Sequence, residues 1–208
     1  MKKLGKFYQS ININGKLTDD RNMSNEKLWK RIRKVLPEDL NGLRILDLGC
    51  NAGLHSCMAA LEGANVIGVN RKQESFKYIK ENHWVNQAKF VKDYFENKYN
   101  KELDVTYIWE DISDVDFESL GRFDYVLAIS VLYHVGNSKY KKHSEEALME
   151  QIRVIKSIDC DNWIVRTRAN EYEYENLEYF DKTFNDLDFQ RTKGDYGNGR
   201  RLVLYQKL

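Results

Sequence analysis

A short segment near residue 50 constrains the fold of this chain more than any other part of its sequence. Residues 44–56 read RILDLGCNAGLHS. The first five residues form an apolar stretch typical of a buried parallel strand. A turn bracketed by Gly49 and Gly53 follows, and then apolar residues recur at helical spacing: Leu54, Cys57, Met58 and Leu61. The segment therefore predicts a strand, a tight turn and a helix, the usual beginning of an α/β sheet that binds a ligand at the carboxyl ends of its strands.

The residues of the turn indicate which ligand the sheet binds. A dinucleotide site needs glycines that bring backbone N–H groups onto a pyrophosphate, but here no third glycine precedes His55. Asp47, just before the turn, would repel a pyrophosphate. A carboxylate at this position suits a ligand with an ammonium and a sulfonium group, which S-adenosylmethionine carries. The turn therefore predicts a site for this cofactor. The residues predicted to bind it are Asp47, Gly49, Cys50, Asn51 and Gly53.

The same segment resembles motif I of class I S-adenosylmethionine-dependent methyltransferases. The resemblance continues in family order through residues 66–70 (VIGVN), 110–112 (EDI) and 123–135 (FDYVLAISVLYHV), and it covers residues 40–206. A closer similarity, to the branch that contains the tRNA uridine 5-oxyacetic acid synthases, rests on residues 131–134 (VLYH) and 36–42 (LPEDLNG). The resemblance implies a methyltransferase, in which the protein positions an already activated methyl donor against an acceptor.

The resemblance also implies the remaining cofactor residues. Asn70 stands where the family places an acidic residue against the ribose hydroxyls, so cofactor binding is weakened or lost here unless a neighbour such as Arg71 compensates. Asp111 and Ile112 correspond to the pair that binds the adenine amine and covers the ring, although Asp111 also suits a helix N-terminus. Ser130 ends the apolar run of residues 123–130, the predicted fourth strand, and joins the cofactor set.

Two residues after the fourth strand are the predicted catalytic pair. Tyr133 is expected to line the pocket, and His134 to act as a general base, because histidine titrates near neutral pH. The alternative is that both rings only pack the end of the strand. Residues 7–11 and 172–179 carry aromatic side chains that are expected to close the acceptor side.

The succession of apolar segments predicts the fold class. We expect a Rossmann-like, seven-stranded and mostly parallel sheet with helices on both faces and a C-terminal antiparallel hairpin. A single methyltransferase domain spans residues 1–208, with an N-terminal helical lid region at 1–40 and a cofactor-binding core at 41–208. A first predicted helix, capped by Ser24 or Asn25, ends near Pro37. The later predicted helices occupy residues 54–62, 73–99 (with a possible break near Asn86) and 141–157, the last with Leu148, Ile152 and Ile155 facing inward.

The composition bears on nucleic-acid binding, on disulfide or metal sites, and on cellular location. The net charge of +1 gives no overall nucleic-acid signature. Three cysteines without a CxxC spacing argue against a disulfide framework. His55, His83 and His143 have no metal-ligand spacing, so no metal site is expected. We expect a cytoplasmic protein, because the sequence shows no membrane span and no secretory signal.

The distribution of charge bears on the acceptor. Residues 1–43 hold ten basic against five acidic residues, and residues 171–188 hold seven acidic residues against Lys182. A small-molecule acceptor is therefore the first expectation. A tRNA acceptor, approached by the basic segment 30–34, is the alternative, and a non-catalytic S-adenosylmethionine-binding protein is a second alternative, suggested by Asn70.

Overall fold

The computed structural model describes residues 4, 7, 10–18, 25–71, 83–137, 139–168, 176–195 and 200–208. The helices and strands in chain order are β1 (Asn12–Ile13), β2 (Lys16–Leu17), α1 (Asn25–Arg33), β3 (Arg44–Leu48), α2 (Leu54–Leu61), β4 (Asn65–Val69), α3 (His83–Tyr99), β5 (Val105–Ile108), β6 (Tyr125–Ile129), α4 (Glu145–Ser157), β7 (Asn162–Arg168), α5 (Leu177–Asn185), β8 (Phe189–Asp195) and β9 (Arg200–Lys207). Short 3-10 turns lie at Ile112–Asp114, Glu118–Leu120 and Leu132–His134.

Seven of the strands form one sheet in the order β5-β4-β3-β6-β7-β9-β8. The five strands from β5 to β7 are parallel, and β9 pairs antiparallel with both β7 and β8. The predicted fold class is therefore confirmed. Because β3 pairs with β4 on one side and with β6 on the other, the strand order reverses at β3, and such a point opens a crevice at the carboxyl ends of the strands.

Helices cover both faces of this sheet. On one face, α1, α2 and α3 pack over a cluster that includes Ile32, Ile45 and Ile164. On the other face, α4 and α5 pack over a cluster that includes Trp163 and Phe184. Parallel strands buried on both sides need apolar residues at nearly every position, which is why the sequence shows them as continuous apolar runs.

Three predictions about the helices need correction. Helix α4 begins at Glu145 rather than at Lys141, because the hydroxyl of Ser144 accepts a hydrogen bond from the N–H of Ala147 and caps the helix there. Its buried face is formed by Ala147, Glu150, Gln151, Val154 and Ile155, while Leu148 and Ile152 are only half-buried. Helix α3 passes through Asn86 without a break, and its predicted first turns (residues 73–82) lie outside the described residues.

The N-terminal segment contributes to the core as well as to the surface. Phe7 is 2% exposed and packs against Phe90 of α3, and Ile11 is fully buried. The hairpin β1–β2 and the helix α5 had no counterpart in the sequence analysis. Among the described residues, no helix combines the length and the apolar character that crossing a membrane requires.

Candidate cofactor and acceptor site

The loop between β3 and α2 is held by hydrogen bonds to the end of β4 and by one within the loop. The N–H groups of Gly49 and Cys50 both donate to the carbonyl of Val69 at the end of β4, at 2.8 and 3.1 Å. The side-chain amide of Asn51 donates to the carbonyl of Gly49 at 2.8 Å, and Gly49, Asn51 and Gly53 all have positive φ angles. Two N–H groups of this loop are therefore engaged inside the fold, where they cannot receive a pyrophosphate.

The two glycines of the loop are required by packing. A Cβ atom at Gly49 would lie 2.5 Å from Cγ2 of Val131, in the segment after β6, and one at Gly53 would overlap the hydroxyl of Tyr107 on β5. Cys50 is 1% exposed, and its sulfur lies beside Gly68 of β4. The side chain of Cys50 therefore points into the fold, so this predicted binding residue has only its backbone near the loop surface.

Asp47 lies near the end of β3, directly before this loop. The residue is 2% exposed, and its carboxyl group accepts a hydrogen bond of 2.6 Å from the hydroxyl of Ser56 in the first turn of α2. Burial raises the pKa of Asp47 from 3.8 to about 7, and the hydrogen bonds from Ser56 only partly offset this effect. A cation bound at the loop would stabilise the ionised carboxylate, so Asp47 can act on a ligand through its charge.

The predicted ribose and adenine residues lie at the ends of the next two strands. Asn70 follows β4, is 9% exposed, and donates its backbone N–H to the carbonyl of Ile108. Arg71 is exposed next to it. Asp111 follows β5, and its Oδ1 accepts a hydrogen bond of 3.0 Å from the N–H of Ser113. Asp111 thus caps the 3-10 turn Ile112–Asp114, in which Ile112 is 9% exposed.

Trp109, which the sequence analysis did not single out, lies next to this part of the candidate site. It follows β5 directly, is half-buried, and its ring centroid lies 5.5 Å from that of Tyr107. Its place between a strand end and the turn of Asp111 was the signal that could have identified it. Sequence reasoning missed it because an aromatic residue at a strand end usually belongs to the core.

The predicted cofactor residue Ser130 and the predicted catalytic pair, Tyr133 and His134, follow β6. Ser130 has a φ angle of 59°, its N–H donates to the carbonyl of Arg166 on β7, and its hydroxyl accepts a hydrogen bond of 3.2 Å from the Arg166 guanidinium. Tyr133 is 7% exposed and His134 is exposed, with their ring centroids 4.5 Å apart. The fold thus presents His134 to solvent and uses Tyr133 partly for packing.

The two aromatic segments predicted to close the site behave differently. Residues 8, 9 and 172–175 lie outside the described residues, and Phe7 and Ile11 are buried in the core. Tyr179, on α5, donates its hydroxyl to Gln151 at 2.9 Å, and Gln151 donates to the carbonyl of Leu132 at 2.7 Å. Tyr179 therefore supports the turn of Tyr133 and His134 through Gln151 of α4.

Three basic residues at the end of α1 and directly after it have partners within the fold. Arg31 and Lys34 lie 3.0 and 3.7 Å from the carboxylate of Asp195 at the end of β8, and Arg33 lies 2.7 Å from that of Glu62 after α2. These pairs dock α1 onto α2 and onto the terminal hairpin. Structural ion pairing thus accounts for three of the four basic side chains that suggested a phosphate contact.

Comparison with known proteins supports the resemblance seen in the sequence. Residues 46–157 match the family model described as methyltransferase domain. The chain is 32% identical over 107 residues to a tRNA U34 carboxymethyltransferase of Alteromonas mediterranea, and 34% identical over 96 residues to a ubiquinone biosynthesis O-methyltransferase of Bradyrhizobium diazoefficiens. These matches cover 51% and 46% of this chain, but only 29% and 31% of the two relatives.

Solved structures show the same fold. The magnesium protoporphyrin IX methyltransferase of Synechocystis PCC 6803, crystallised with bound SAM, gives a TM-score of 0.62 at 18% identity, over 88% of this chain and 77% of that one. The PH0226 protein of Pyrococcus horikoshii OT3 gives 0.63 at 16% identity, over 91% and 94%. The family uses S-adenosylmethionine, the cofactor that the turn predicts. Since the family model matches more than half of its residues, the chain belongs to the methyltransferase domain family.

Proposed function

We propose that this protein is a cytoplasmic, S-adenosylmethionine-dependent methyltransferase that acts on a small-molecule acceptor. The observation that carries the proposal is the β3–α2 loop, where a buried carboxyl group precedes a turn whose first two N–H groups already donate to the carbonyl of Val69. This arrangement suits a cationic ligand and not a pyrophosphate. Three free, buried cysteines support a reducing compartment.

The groups at the strand ends suit the three parts of the cofactor. Asp47 and the backbone of residues 49–53 would hold the methionine end, which carries the positive charges. Asn70 offers an amide to the ribose hydroxyls, where a carboxylate would bind more strongly. Asp111 has one carboxylate oxygen on Ser113, and its other oxygen would accept the adenine amine, with Ile112 against the ring.

When bound, the cofactor supplies a methyl group that its sulfonium has already activated. The task of the chain is then to hold an acceptor in line with that group and to exclude water. In the proposed mechanism Tyr133 lines the pocket, and His134 takes a proton from the nucleophile when the acceptor carries one at neutral pH.

Binding and turnover test different parts of this proposal. Calorimetry should show micromolar binding of S-adenosylmethionine and of its demethylated product, but none of NAD; binding of NAD alone would refute the proposal. Once an acceptor is found, His134→Ala should lower turnover at unchanged cofactor affinity, and should remove the neutral-pH limb of the rate profile. An unchanged pH profile would make His134 a packing residue.

A tRNA-modifying methyl or carboxymethyl transferase is the second candidate. The match to the tRNA U34 carboxymethyltransferase favours it, as does the resemblance of residues 131–134 to the tRNA uridine 5-oxyacetic acid synthase branch. The exposed side chains of Lys27 and Lys30 on α1 remain available for phosphate contacts, unlike the paired Arg31 and Arg33.

Salt dependence distinguishes the two acceptors. If tRNA is the acceptor, binding should weaken steeply with added salt, and the Lys27→Gln, Lys30→Gln double variant should reduce that slope. If binding of tRNA is weak and both changes leave methyl transfer to small molecules intact, the small-molecule proposal stands.

A further inference from the structure

An ion network connects the turn after β5 with the segment after β6. Ser113 and Asp114 lie in the turn after β5, and Lys139 lies in the segment that follows β6. Glu150 and Arg153 lie on α4, which packs against the turn Ile112–Asp114. The network therefore spans three separate stretches of the chain, next to both predicted halves of the site.

Two cations converge on one backbone carbonyl. Arg153 donates from Nη2 to the carbonyl of Ser113 at 2.7 Å, and Lys139 donates to the same oxygen at 3.4 Å. Arg153 also makes a two-pronged contact with Glu150, with both hydrogen bonds at 2.8 Å. Lys139 lies 2.7 Å from Asp114 and 3.7 Å from Glu150.

The geometry sets this network apart from ordinary surface pairs. The side chain of Glu150 is only 10% exposed, and its hydrogen bonds with Arg153 hold the pKa of this carboxyl group below its usual range. An isolated exposed pair contributes little, whereas a bidentate arginine–carboxylate contact within a network keeps its geometry. Glu150 therefore fixes the direction in which Arg153 approaches Ser113.

The carbonyl of Ser113 belongs to the turn that Asp111 caps. Asp111 holds the N–H of Ser113, while Arg153 and Lys139 hold its carbonyl, so the peptide groups on both sides of one residue are restrained. We propose that Arg153 and Lys139 are positioning residues, which keep Asp111 and Ile112 in the geometry that receives adenine. This inference rests on the proposed function, because it requires that the chain binds S-adenosylmethionine.

Calorimetry with S-adenosylhomocysteine tests the inference. Arg153→Met keeps the aliphatic stem but removes the guanidinium, and it should weaken binding about tenfold, the equivalent of ~1.4 kcal/mol. Arg153→Lys should restore part of the affinity, since a cation can still reach the carbonyl of Ser113. Arg122→Met is the matched control: Arg122 has a similarly exposed side chain that pairs with Asp159 and Asp161 before β7, and its loss should leave affinity unchanged.

A double-mutant cycle separates positioning from general loss of stability. If Arg153 acts through the turn of Asp111, the factor by which Arg153→Met weakens S-adenosylhomocysteine binding should be smaller in an Asp111→Asn background than in the wild type. An equal factor of weakened binding in both backgrounds would overturn the inference.

Wild-type binding fixes what a negative result means. If the wild type binds S-adenosylhomocysteine and Arg153→Met binds equally well, the inference alone is wrong. If the wild type does not bind, the proposed function falls, and the inference with it. Should circular dichroism show that Arg153→Met is unfolded, Lys139→Met is measured in the same way, with a several-fold loss expected and unchanged affinity overturning the inference.

Discussion

At the scale of the residue, Asp47 shows how burial changes the chemistry of a carboxyl group. Its pKa of about 7 in the folded protein lies well above the ordinary value of 3.8. The folded protein therefore retains a proton that the unfolded chain releases. Between pH ~4 and ~7 the contribution of Asp47 to the free energy of unfolding falls as the pH rises, and above that range it stays constant.

The same pKa predicts how cofactor binding depends on pH. A cationic ligand favours the ionised carboxylate, so affinity for S-adenosylmethionine should rise about tenfold between pH 6 and pH 8, as Asp47 titrates. Calorimetry at both pH values measures this change. Asp47→Asn should bind weakly with a flat profile, and Ser56→Ala should move the rise to higher pH, because it removes a hydrogen bond to the ionised form. An equally steep profile in Asp47→Asn would assign the titration to another group.

Asn70 allows a prediction of tighter cofactor binding, in contrast to the weaker binding expected of Asp47→Asn. If its amide faces the ribose hydroxyls, Asn70→Asp should tighten cofactor binding by up to about 1–2 kcal/mol, because a charged acceptor forms the stronger hydrogen bond. The measurement is the dissociation constant at pH 8, with Asn65→Asp at the exposed start of β4 as the control. Weaker binding by Asn70→Asp would show that this side chain faces other groups.

At the scale of the element, the β3–α2 loop and the segment after β6 depend on each other. Gly49 and Val131 are in such close contact that a Cβ at Gly49 has no room. Gly49→Ala should therefore destabilise the fold by more than the ~1 kcal/mol that a positive φ angle costs a non-glycine residue.

Val131→Ala should relieve part of this cost, because it removes the Cγ2 atom that the new Cβ would meet. Urea unfolding of Gly49→Ala, Val131→Ala and the double variant measures the coupling. Additive losses would mean that the loop moves away from Val131 and that the two segments are independent.

The elements also show what could be predicted from sequence. Strand β6 was predictable because a strand buried on both faces is an uninterrupted apolar run. The inward face of α4 was not, because Glu150 and Gln151 are buried for their hydrogen bonds, which hydropathy does not register. The docking of α1 was unpredictable for a related reason, since Arg31 meets its partner Asp195 164 positions away. Within the site, the glycine turn could be predicted from the sequence. The burial of Asp47 could not, because it depends on how the strands and α2 pack in the fold.

At the scale of the whole molecule, the N-terminal segment forms part of one core with the sheet. Ile32 of α1 is fully buried in the cluster that contains Ile45 and Ile164. Ile32→Ala should therefore lower the free energy of unfolding by about 2–5 kcal/mol, as a large-to-small change in a packed core does. Chemical denaturation followed by circular dichroism measures it, with Leu17→Ala on the exposed β2 as a near-neutral control. A loss below about 1 kcal/mol for Ile32→Ala would favour a lid that moves separately from residues 41–208.

The position of Trp109 gives the molecule an intrinsic optical reporter. Its half-buried indole lies between the end of β5 and the turn of Asp111, so a ligand that arrives at the crevice would alter its emission. Trp163 is fully buried in the cluster beneath α4 and α5 and should not respond. Ligand-dependent fluorescence that Trp109→Phe abolishes and Trp163→Phe preserves would follow binding without a label, and would make unlabelled candidate acceptors accessible to direct titration.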